Sequence, residues 1–290
     1  MSITLRQLRS VDALARHGHF GRAAEATSIS QPALSVQIRD LEAHLGAPLF
    51  ERGPRGATLT AFGASVAERA RAVLRGVDEI AEMGRAEAGM HRLRLGAIPT
   101  IAPYLVPRAI RSLRARWPDL DIELRETMTR TLIADLAAGS IDAAIVALPV
   151  SEPSLEEVPL FEEPFVLVRP EGEDGPAPAP AELARMRLLL LEEGHCFRDQ
   201  ALSVCSVGPG RARPGLDGTT LATLVQMVAA GLGVTLIPRM AVEVETRGAA
   251  VTLTELAPPG PSRRVGMIWR RRTPLAGYLR EVAEAIRAAA

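Results

Sequence analysis

The stretch AAEATSISQPALSVQIRDLE, residues 23–42, decides the fold of the N-terminal part of the chain. Its first alanines favour a short helix, and residues 27–30 that follow, three of them with hydroxyl side chains, predict a turn. Ser30 is a suitable N-cap for a second helix, and Pro32 falls in its first turn, where a missing N–H costs little. Gly46 is expected to end that helix. Its buried face is predicted from apolar residues at helical spacing, namely Leu34, Ile38, Leu41 and Leu45.

Two short helices joined by a tight turn, with another helix at residues 5–16 before them, are typical of a helix-turn-helix. Periodicity alone fits a generic helical hairpin equally well. The outward face of the second helix favours the first interpretation, because its hydrogen-bonding groups suit base edges and phosphates. The Gly- and Pro-rich loop at residues 48–56 then suits a wing that rests on the DNA backbone. The candidate DNA-contacting residues are Gln31, Pro32, Ser35, Gln37 and Arg39 on the helix, and Arg52 and Arg55 in the wing.

Length and charge limit the remaining possibilities. A chain of 290 residues predicts two or three compact units, and a content of 47% apolar residues is typical of globular proteins. The 34 basic residues, all of them arginine, balance 34 acidic ones, so that a nucleic-acid site must be a local patch. The sequence shows neither an apolar run of about 18–20 residues nor a secretory signal, and we therefore expect a cytoplasmic protein.

A long helix is predicted from Leu59 to about Glu87. Its apolar positions follow one another at intervals of three and four residues, close to a coiled-coil seam. Burial against a second copy of the chain is the simplest way to cover this stripe, and packing onto the same chain is the alternative. The stripe consists of Phe62, Val66, Ala70, Val73, Val77 and Ile80.

Beyond Gly89 the pattern changes to strands that alternate with helices, which predicts a parallel sheet in an α/β layer. A first set of alternating strands and helices is predicted from about residue 93 to 148, and a second set from about residue 188 to 288. Chains with two such lobes bind ligands in the cleft between them.

Residues 23–42, together with LGAPLFER at 45–52 and LTAFG at 59–63, resemble the N-terminal signature of LysR-type transcriptional regulators. This resemblance implies an α/β protein with an N-terminal winged helix-turn-helix, a long dimerising linker helix and a C-terminal two-lobed effector domain like that of periplasmic binding proteins. It also implies a homodimer that assembles to a homotetramer, promoter DNA and RNA polymerase as partners, a location at the bacterial nucleoid, and no enzymatic activity.

The same resemblance sets the expected domain boundaries. The DNA-binding domain is expected at residues 1–58, the linker helix at 59–89 and the effector domain at 90–290. Within the effector domain, lobe I would comprise 90–163 with 268–290, and lobe II 164–267.

Within this family, the activators that sense hydrogen peroxide are the best match. EEGHCFRDQALSVC at 192–205 resembles their redox loop, and GAIPTIAPYLVP at 96–107 and VAAGLGVTLIP at 228–238 also match. Two cysteines at this spacing are usually structural or incidental, but the surrounding motif is far more specific. The resemblance implies Cys196 as the peroxidatic cysteine, Cys205 as the resolving cysteine, and glutaredoxin or thioredoxin as the reductant.

The side chains near Cys196 suit this chemistry. Because only a thiolate is strongly nucleophilic, we expect the sulfur to be ionised. His195 can donate a hydrogen bond, and Asp199 can accept or relay the proton that must reach the departing hydroxide. By resemblance, Arg270 would stabilise the thiolate, while Thr100 and Thr129 would hydrogen-bond the peroxide oxygens.

Structural roles compete with these functional ones. Thr100 and Thr129 could each cap a helix, and Arg270 could be a solvated charge within the arginine run 270–272. A sulfenic acid at Cys196 would condense with Cys205 to a disulfide, for which any intervening helical turn must melt. The loop at 206–215, rich in Gly, Pro and Arg, departs from the family pattern, and we expect the segment remodelled by oxidation to differ here in sensitivity or reversibility.

Two other functions remain open from the sequence. A regulator of the same family could bind a small organic ligand in the cleft between the lobes, with idle cysteines. A thiol peroxidase is a third hypothesis, which the predicted DNA-binding head disfavours. No metal or cofactor is expected.

Overall fold

The computed structural model describes residues 2–53, 56–87, 92–183, 185–204, 217–256 and 260–290. The chain divides into two compact units, with the division after Gly89. No helix among these residues is long and apolar enough to cross a membrane.

The first unit contains helices and a β-hairpin. In chain order its elements are α1 (Leu5–His17), α2 (Phe20–Ala26), α3 (Gln31–Leu45), β1 (Phe50–Gly53), β2 (Gly56–Leu59) and α4 (Ala61–Glu87).

The helix-turn-helix prediction is confirmed in its local detail. The Ser30 hydroxyl accepts a hydrogen bond from the backbone N–H of Ala33, and Gly46 closes α3 in the left-handed conformation. Leu34, Ile38 and Leu41 are fully buried in the core between α1, α2 and α3. The strands β1 and β2 pair antiparallel and form the wing.

Helix α4 keeps most of its apolar stripe at the surface of the single chain. Ala70 is buried, and Asp12 of α1 pairs with Arg71 of α4. By contrast, Phe62, Val73 and Ile80 are 43%, 49% and 70% exposed. The alternative of packing onto the same chain therefore accounts for only part of the stripe.

The second unit is an α/β domain. Its strands are β3 (Arg92–Ala97), β4 (Asp121–Glu126), β5 (Ala143–Leu148), β6 (Leu155–Pro170), β7 (Leu190–Leu191), β8 (Asp217–Gly218), β9 (Thr235–Pro238), β10 (Val251–Glu255) and β11 (Ser262–Arg270). Its helices are α5 (Ala102–Arg116), α6 (Thr129–Ala138), α7 (Pro180–Leu183), α8 (Cys196–Val204), α9 (Leu221–Ala229), α10 (Val242–Glu245) and α11 (Ala276–Arg287), with a 3₁₀ turn at Arg239–Ala241.

The sheet is mixed, whereas the alternating pattern predicted a parallel one. Within the described residues, seven strands are connected in the order β10-β6-β11-β5-β3-β4, with β9 beside β6. Only β3 runs parallel to its neighbours β4 and β5 in this sheet. The strands β6 and β11 pair antiparallel and connect the two halves of the unit.

Two hydrophobic cores lie along these shared strands. The first contains Leu95, Ile145 and Trp269, and the second contains Phe165, Leu190 and Val225. The predicted division into lobes stays a prediction, and in the structure Val265 and Met267 of the proposed lobe II pack into the first core.

Candidate functional site

Cys196 is the first residue of α8, two residues after a turn at Gly194, and its thiol is free. The thiol faces a small, partly open cavity of about 10 Å³, roughly the space that one water molecule needs. Residues from three separate segments form its wall, namely Ile98, Pro99, Thr100, Met128, Thr129, Gly194, His195, Cys196 and Phe197. The structure therefore brings together Cys196, His195, Thr100 and Thr129 of the predicted site.

Burial of the sulfur raises the pKa of the Cys196 thiol above its ordinary value, because a thiolate loses its hydration there. The Thr129 hydroxyl, the charge of Arg263 and the backbone N–H of Phe197 lower the pKa again, but less. The expected thiolate at rest does not follow from this arrangement. At neutral pH the resting sulfur is a thiol, and the groups that favour the anion are already in place.

The cation beside the thiol is Arg263, at the start of β11. Its Nε donates to Oε2 of Glu163 at 2.7 Å, and its two terminal nitrogens donate to the side-chain and main-chain oxygens of Thr100, each at 2.8 Å. The guanidinium carbon also lies 5.6 Å from the ring centre of Phe197, the residue after Cys196. These contacts hold the positive charge in one place behind the cavity.

None of the contacts described for this cluster involves Arg270. It ends β11, seven residues after Arg263, which in an extended strand is about 23 Å. The role that the resemblance implies for Arg270 stays a prediction, whereas the described contacts place Arg263 against Thr100 and Phe197. Arg263 pairs with Glu163 only through the register of β6 and β11, and no local sequence signal distinguishes the two ends.

The two threonines differ in their hydrogen bonds. Thr100 is buried and accepts from Arg263, so its own hydroxyl hydrogen is left to donate. The buried Thr129 hydroxyl faces the thiol and has no other hydrogen-bond partner among the described residues. Neither threonine caps a helix, because the N-caps of α5 and α6 are Ile101 and Met128.

His195 and Asp199 lie on either side of the cysteine in sequence. His195 is half-buried, and burial lowers the pKa of its imidazole, although Glu192 opposes the shift. The ring is therefore neutral at pH 7 and can accept a proton. Asp199 is exposed in the first turn of α8. Cys205 lies outside the described residues, and so does the loop at 206–215.

The candidate DNA-contacting residues of α3 fall on two sides of the helix. Gln31 and Arg39 are exposed and Ser35 is half-exposed, and their spacing of four residues places them on one face. Pro32 is also exposed. The Arg39 Nε donates to the main-chain oxygen of Ser35 at 3.4 Å. Arg55 and the side chain of Arg52 are outside the described part of the chain.

Gln37 is turned toward α1. The hydroxyl of Ser10, which is buried, donates to the Gln37 Oε1 at 2.5 Å. Arg6 and Arg9, which are exposed on α1, line the same groove of about 470 Å³. Sequence reasoning missed this basic surface, since only the outward face of α3 was considered.

A larger cavity of about 670 Å³ lies elsewhere in the second unit. Tyr104 and Leu105 of α5, Phe161 and Glu163 of β6, and Met240 are among the residues that line it. It is large enough for an organic molecule. Through Glu163 it adjoins the buried network of Arg263.

Two protein-family models match the chain. The model described as a bacterial regulatory helix-turn-helix protein of the lysR family matches residues 5–64. The model described as the LysR substrate binding domain matches residues 86–290. The two matches together span most of the chain.

Similar proteins align with this chain along almost its whole length. A probable hydrogen peroxide-inducible genes activator from Streptomyces viridosporus is 42% identical over 293 residues, covering 99% of this chain and 94% of that protein. The DNA-binding transcriptional dual regulator OxyR of Escherichia coli is 40% identical over 292 residues, covering 99% and 95%.

Solved structures agree in fold. Full-length OxyR from Pseudomonas aeruginosa, with a cysteine replaced by aspartate, superposes with a TM-score of 0.78 at 35% identity and covers 99% of this chain and 98% of that one. An H2O2-bound cysteine-to-serine variant of OxyR from Corynebacterium glutamicum gives a TM-score of 0.67 at 31% identity, with 100% and 93% covered.

Proposed function

Because the chain belongs to the LysR family of bacterial DNA-binding regulators, we propose that it is a transcriptional activator that responds to hydrogen peroxide through Cys196. One observation carries the proposal. The Cys196 thiol faces a small, partly open cavity of about 10 Å³ whose wall contains two threonine hydroxyls. A space of this size suits a molecule little larger than water, and hydroxyl groups suit a ligand that both donates and accepts.

The threonines would bind and orient the peroxide. Thr129 supplies a hydroxyl whose other hydrogen-bonding capacity is unused, and Thr100 retains a hydrogen to donate. With both oxygens held, one of them is placed in line with the sulfur, which lowers the entropic cost of attack.

Oxidation of the sulfur would follow. As Cys196 attacks one peroxide oxygen, the O–O bond breaks, the sulfur becomes a sulfenic acid, and the departing hydroxide takes up the thiol proton as water. Arg263 stabilises the developing thiolate. His195, neutral at pH 7, and Asp199 are the candidate groups for relaying the proton.

The sulfenic acid would then condense with the Cys205 thiol, forming a disulfide and releasing a second water. Helix α8 spans Cys196–Val204, so the Cα atoms of its two ends are about 12 Å apart. A disulfide requires Cα atoms within about 7 Å, and α8 must therefore unwind before the bridge forms. A dithiol reductant such as glutaredoxin or thioredoxin would reverse the step.

The first unit would carry the response to DNA. Helix α3 and the wing present the reading surface, and the exposed stripe of α4 would pair two chains for two half-sites. The predicted domain boundaries, assembly to a tetramer and contact with RNA polymerase belong to this proposal.

Thiol titration of the full chain tests the proposal. With stoichiometric H2O2 we expect the loss of both thiols of the chain, no loss in Cys196→Ser, and a persistent sulfenic acid in Cys205→Ser. Footprints of the reduced and oxidised protein on one promoter fragment should differ in the wild type and coincide in Cys196→Ser. Retention of both thiols in the wild type would overturn the proposal.

A small organic effector is the second candidate, and the cavity of about 670 Å³ favours it. In that case the footprint would change with an organic ligand and not with peroxide, and Cys196→Ser would respond like the wild type.

A further inference from the structure

We propose that Met128 is the gate of the Cys196 cavity and that it excludes alkyl hydroperoxides while it admits hydrogen peroxide. This inference rests on the proposed peroxide response and adds to it a residue that determines which peroxide reacts. The observations that carry it are the position of Met128, its exposure and its contact with Gly194.

The wall of the cavity separates into an inner and an outer part. Ile98, Thr100 and Phe197 are buried, and Thr129 and Cys196 are partly buried. Within the described wall, Met128 and Gly194 are the most exposed residues, while Pro99, Thr129, His195 and Cys196 are partly exposed. The most open side of the cavity is therefore the one that Met128 and Gly194 form.

Met128 and Gly194 are in contact. A methyl group added at Gly194 would stand only 3.0 Å from the Met128 Sδ, so the thioether rests on a backbone that has no side chain. The φ angle of +98° at Gly194 is in the region that favours glycine. The chain thus keeps this position free of a side chain, and the methionine fills the space.

The properties of methionine suit a gate. Its side chain is unbranched and has several rotatable bonds, so it can shift slightly to pass hydrogen peroxide while it still fills the space that an alkyl group would need. At 36% exposure, Met128 has solvent on one side to move into. The backbone of the same residue is fixed, because its carbonyl oxygen accepts from the N–H of Leu132 at the start of α6. The Met128 side chain can therefore change its conformation while the backbone that connects it to Thr129 stays in place.

The chemistry that the gate controls is the same for both classes of peroxide. Cys196 attacks the terminal oxygen, the O–O bond breaks, and the sulfur becomes a sulfenic acid. Hydrogen peroxide releases water after proton uptake, and an alkyl hydroperoxide releases an alcohol. The two differ in the space that the alkyl group needs, and a cavity of about 10 Å³ offers none unless Met128 is displaced.

The test compares rates of Cys196 oxidation in the full-length protein, measured by rapid quenching with an alkylating reagent and mass spectrometry. Wild type, Met128→Ala and Met128→Leu are each treated with H2O2 and with tert-butyl hydroperoxide. Leucine is the matched control, since it keeps the bulk of the wall and removes the sulfur.

We expect Met128→Ala to lower the preference for H2O2 over tert-butyl hydroperoxide by about tenfold or more, because removal of a few methylene-sized groups from a pocket has effects of this size. Met128→Leu should keep the wild-type preference. If Met128→Ala kept the preference for H2O2, or if Met128→Leu lost as much of that preference as Met128→Ala, Met128 would not be the gate. The proposed function would still be supported in either case, provided that the wild type reacts with H2O2. No reaction of the wild type with H2O2 would overturn both.

Discussion

Arg263 and Glu163 form an ion pair from which solvent is almost completely excluded, with 0% and 3% of their side chains exposed. The pair joins β11 to β6, and Glu163 also accepts from the backbone N–H of Met240. Arg263 in turn donates to Thr100, which lines the cavity at Cys196. The charge that stabilises a Cys196 thiolate is thus fixed by strands that connect the two halves of the effector unit.

Replacement of Arg263 tests its role directly. Arg263→Met removes the charge that lowers the pKa of the Cys196 thiol, and we expect slower oxidation by H2O2 at pH 7.5, by about tenfold for each unit of pKa increase. Arg263→Lys keeps a positive charge, and its rate of oxidation should lie between those of the wild type and Arg263→Met. The rate is measured by loss of the Cys196 thiol under excess H2O2.

Arg270→Met is the matched control, because it removes an arginine from the other end of the same strand. Its rate should stay near that of the wild type. If Arg270→Met slowed the reaction and Arg263→Met did not, the assignment from the structure would be wrong and the one from the family resemblance right.

Glu163→Gln should change reactivity and stability in opposite directions. The amide can still accept from the Met240 N–H, but it no longer offsets the charge of Arg263. We expect a lower pKa at Cys196 and oxidation about threefold faster or more. Loss of one partner of a buried pair also costs about 3–5 kcal/mol of stability, which urea unfolding would measure. Slower oxidation would contradict the view that Glu163 moderates the cation.

The sequence alone predicted those elements whose ends are determined by residues close together in the chain. Ser30, Pro32 and Gly46 predicted the beginning and end of α3 because capping depends on residues a few positions apart. It was insufficient for β6, which contains Pro159 and Pro164. Proline normally argues against a strand that is paired on both sides. Pro159 and Pro164 lie in the part of β6 that pairs with β11 alone, because β9 and β10 pair only with residues 165–170.

The candidate site shows the same division. Cys196 and His195 are neighbours in sequence, and their motif identified them. Arg263 depends on the pairing of two strands about 100 residues apart, which no local pattern encodes. The sequence predicted an ionised sulfur at Cys196, whereas the burial that raises the pKa of its thiol comes from segments far away in the chain, which no local pattern shows.

The pH dependence of the Cys196 reaction follows from its raised pKa. A thiol whose pKa lies above its ordinary value is mostly protonated at neutral pH, and its reactive fraction grows as the pH rises. The rate of oxidation should therefore increase about tenfold per pH unit from pH 7 to 8.5 without a plateau. His195, whose pKa is lowered, keeps its charge state across this range. A plateau already at pH 7 would show a thiolate at rest.

Ser10 should influence base recognition through Gln37. Its hydroxyl occupies the Gln37 Oε1, which leaves the amide N–H groups free to donate. A donor at this position favours bases with acceptors in the major groove, such as guanine, over the amino group of cytosine. Ser10→Ala releases the amide, and we expect discrimination at the contacted base pair to fall by about 1–3 kcal/mol with little change in nonspecific binding.

A double-mutant cycle separates this effect from a general loss of fold. In Gln37→Ala, the further change Ser10→Ala should leave base discrimination unaltered. Binding to a panel of single-base operator variants, at fixed salt concentration, provides the readout. If Ser10→Ala changed base discrimination equally in the wild type and in Gln37→Ala, Ser10 would not act by orienting the Gln37 amide.

The exposed stripe of α4 predicts a dimer that can be broken without unfolding the chain. Val73 and Ile80 are 49% and 70% exposed in the single chain, so glutamates there cost little in the monomer but place charges in an apolar seam. We expect Val73→Glu/Ile80→Glu to sediment as a monomer and to bind a two-half-site promoter at least about tenfold more weakly. The matched control is Ala72→Glu, because Ala72 is exposed and lies beside the stripe. This variant should remain a dimer. Wild-type assembly in the double variant would place the interface elsewhere on the chain.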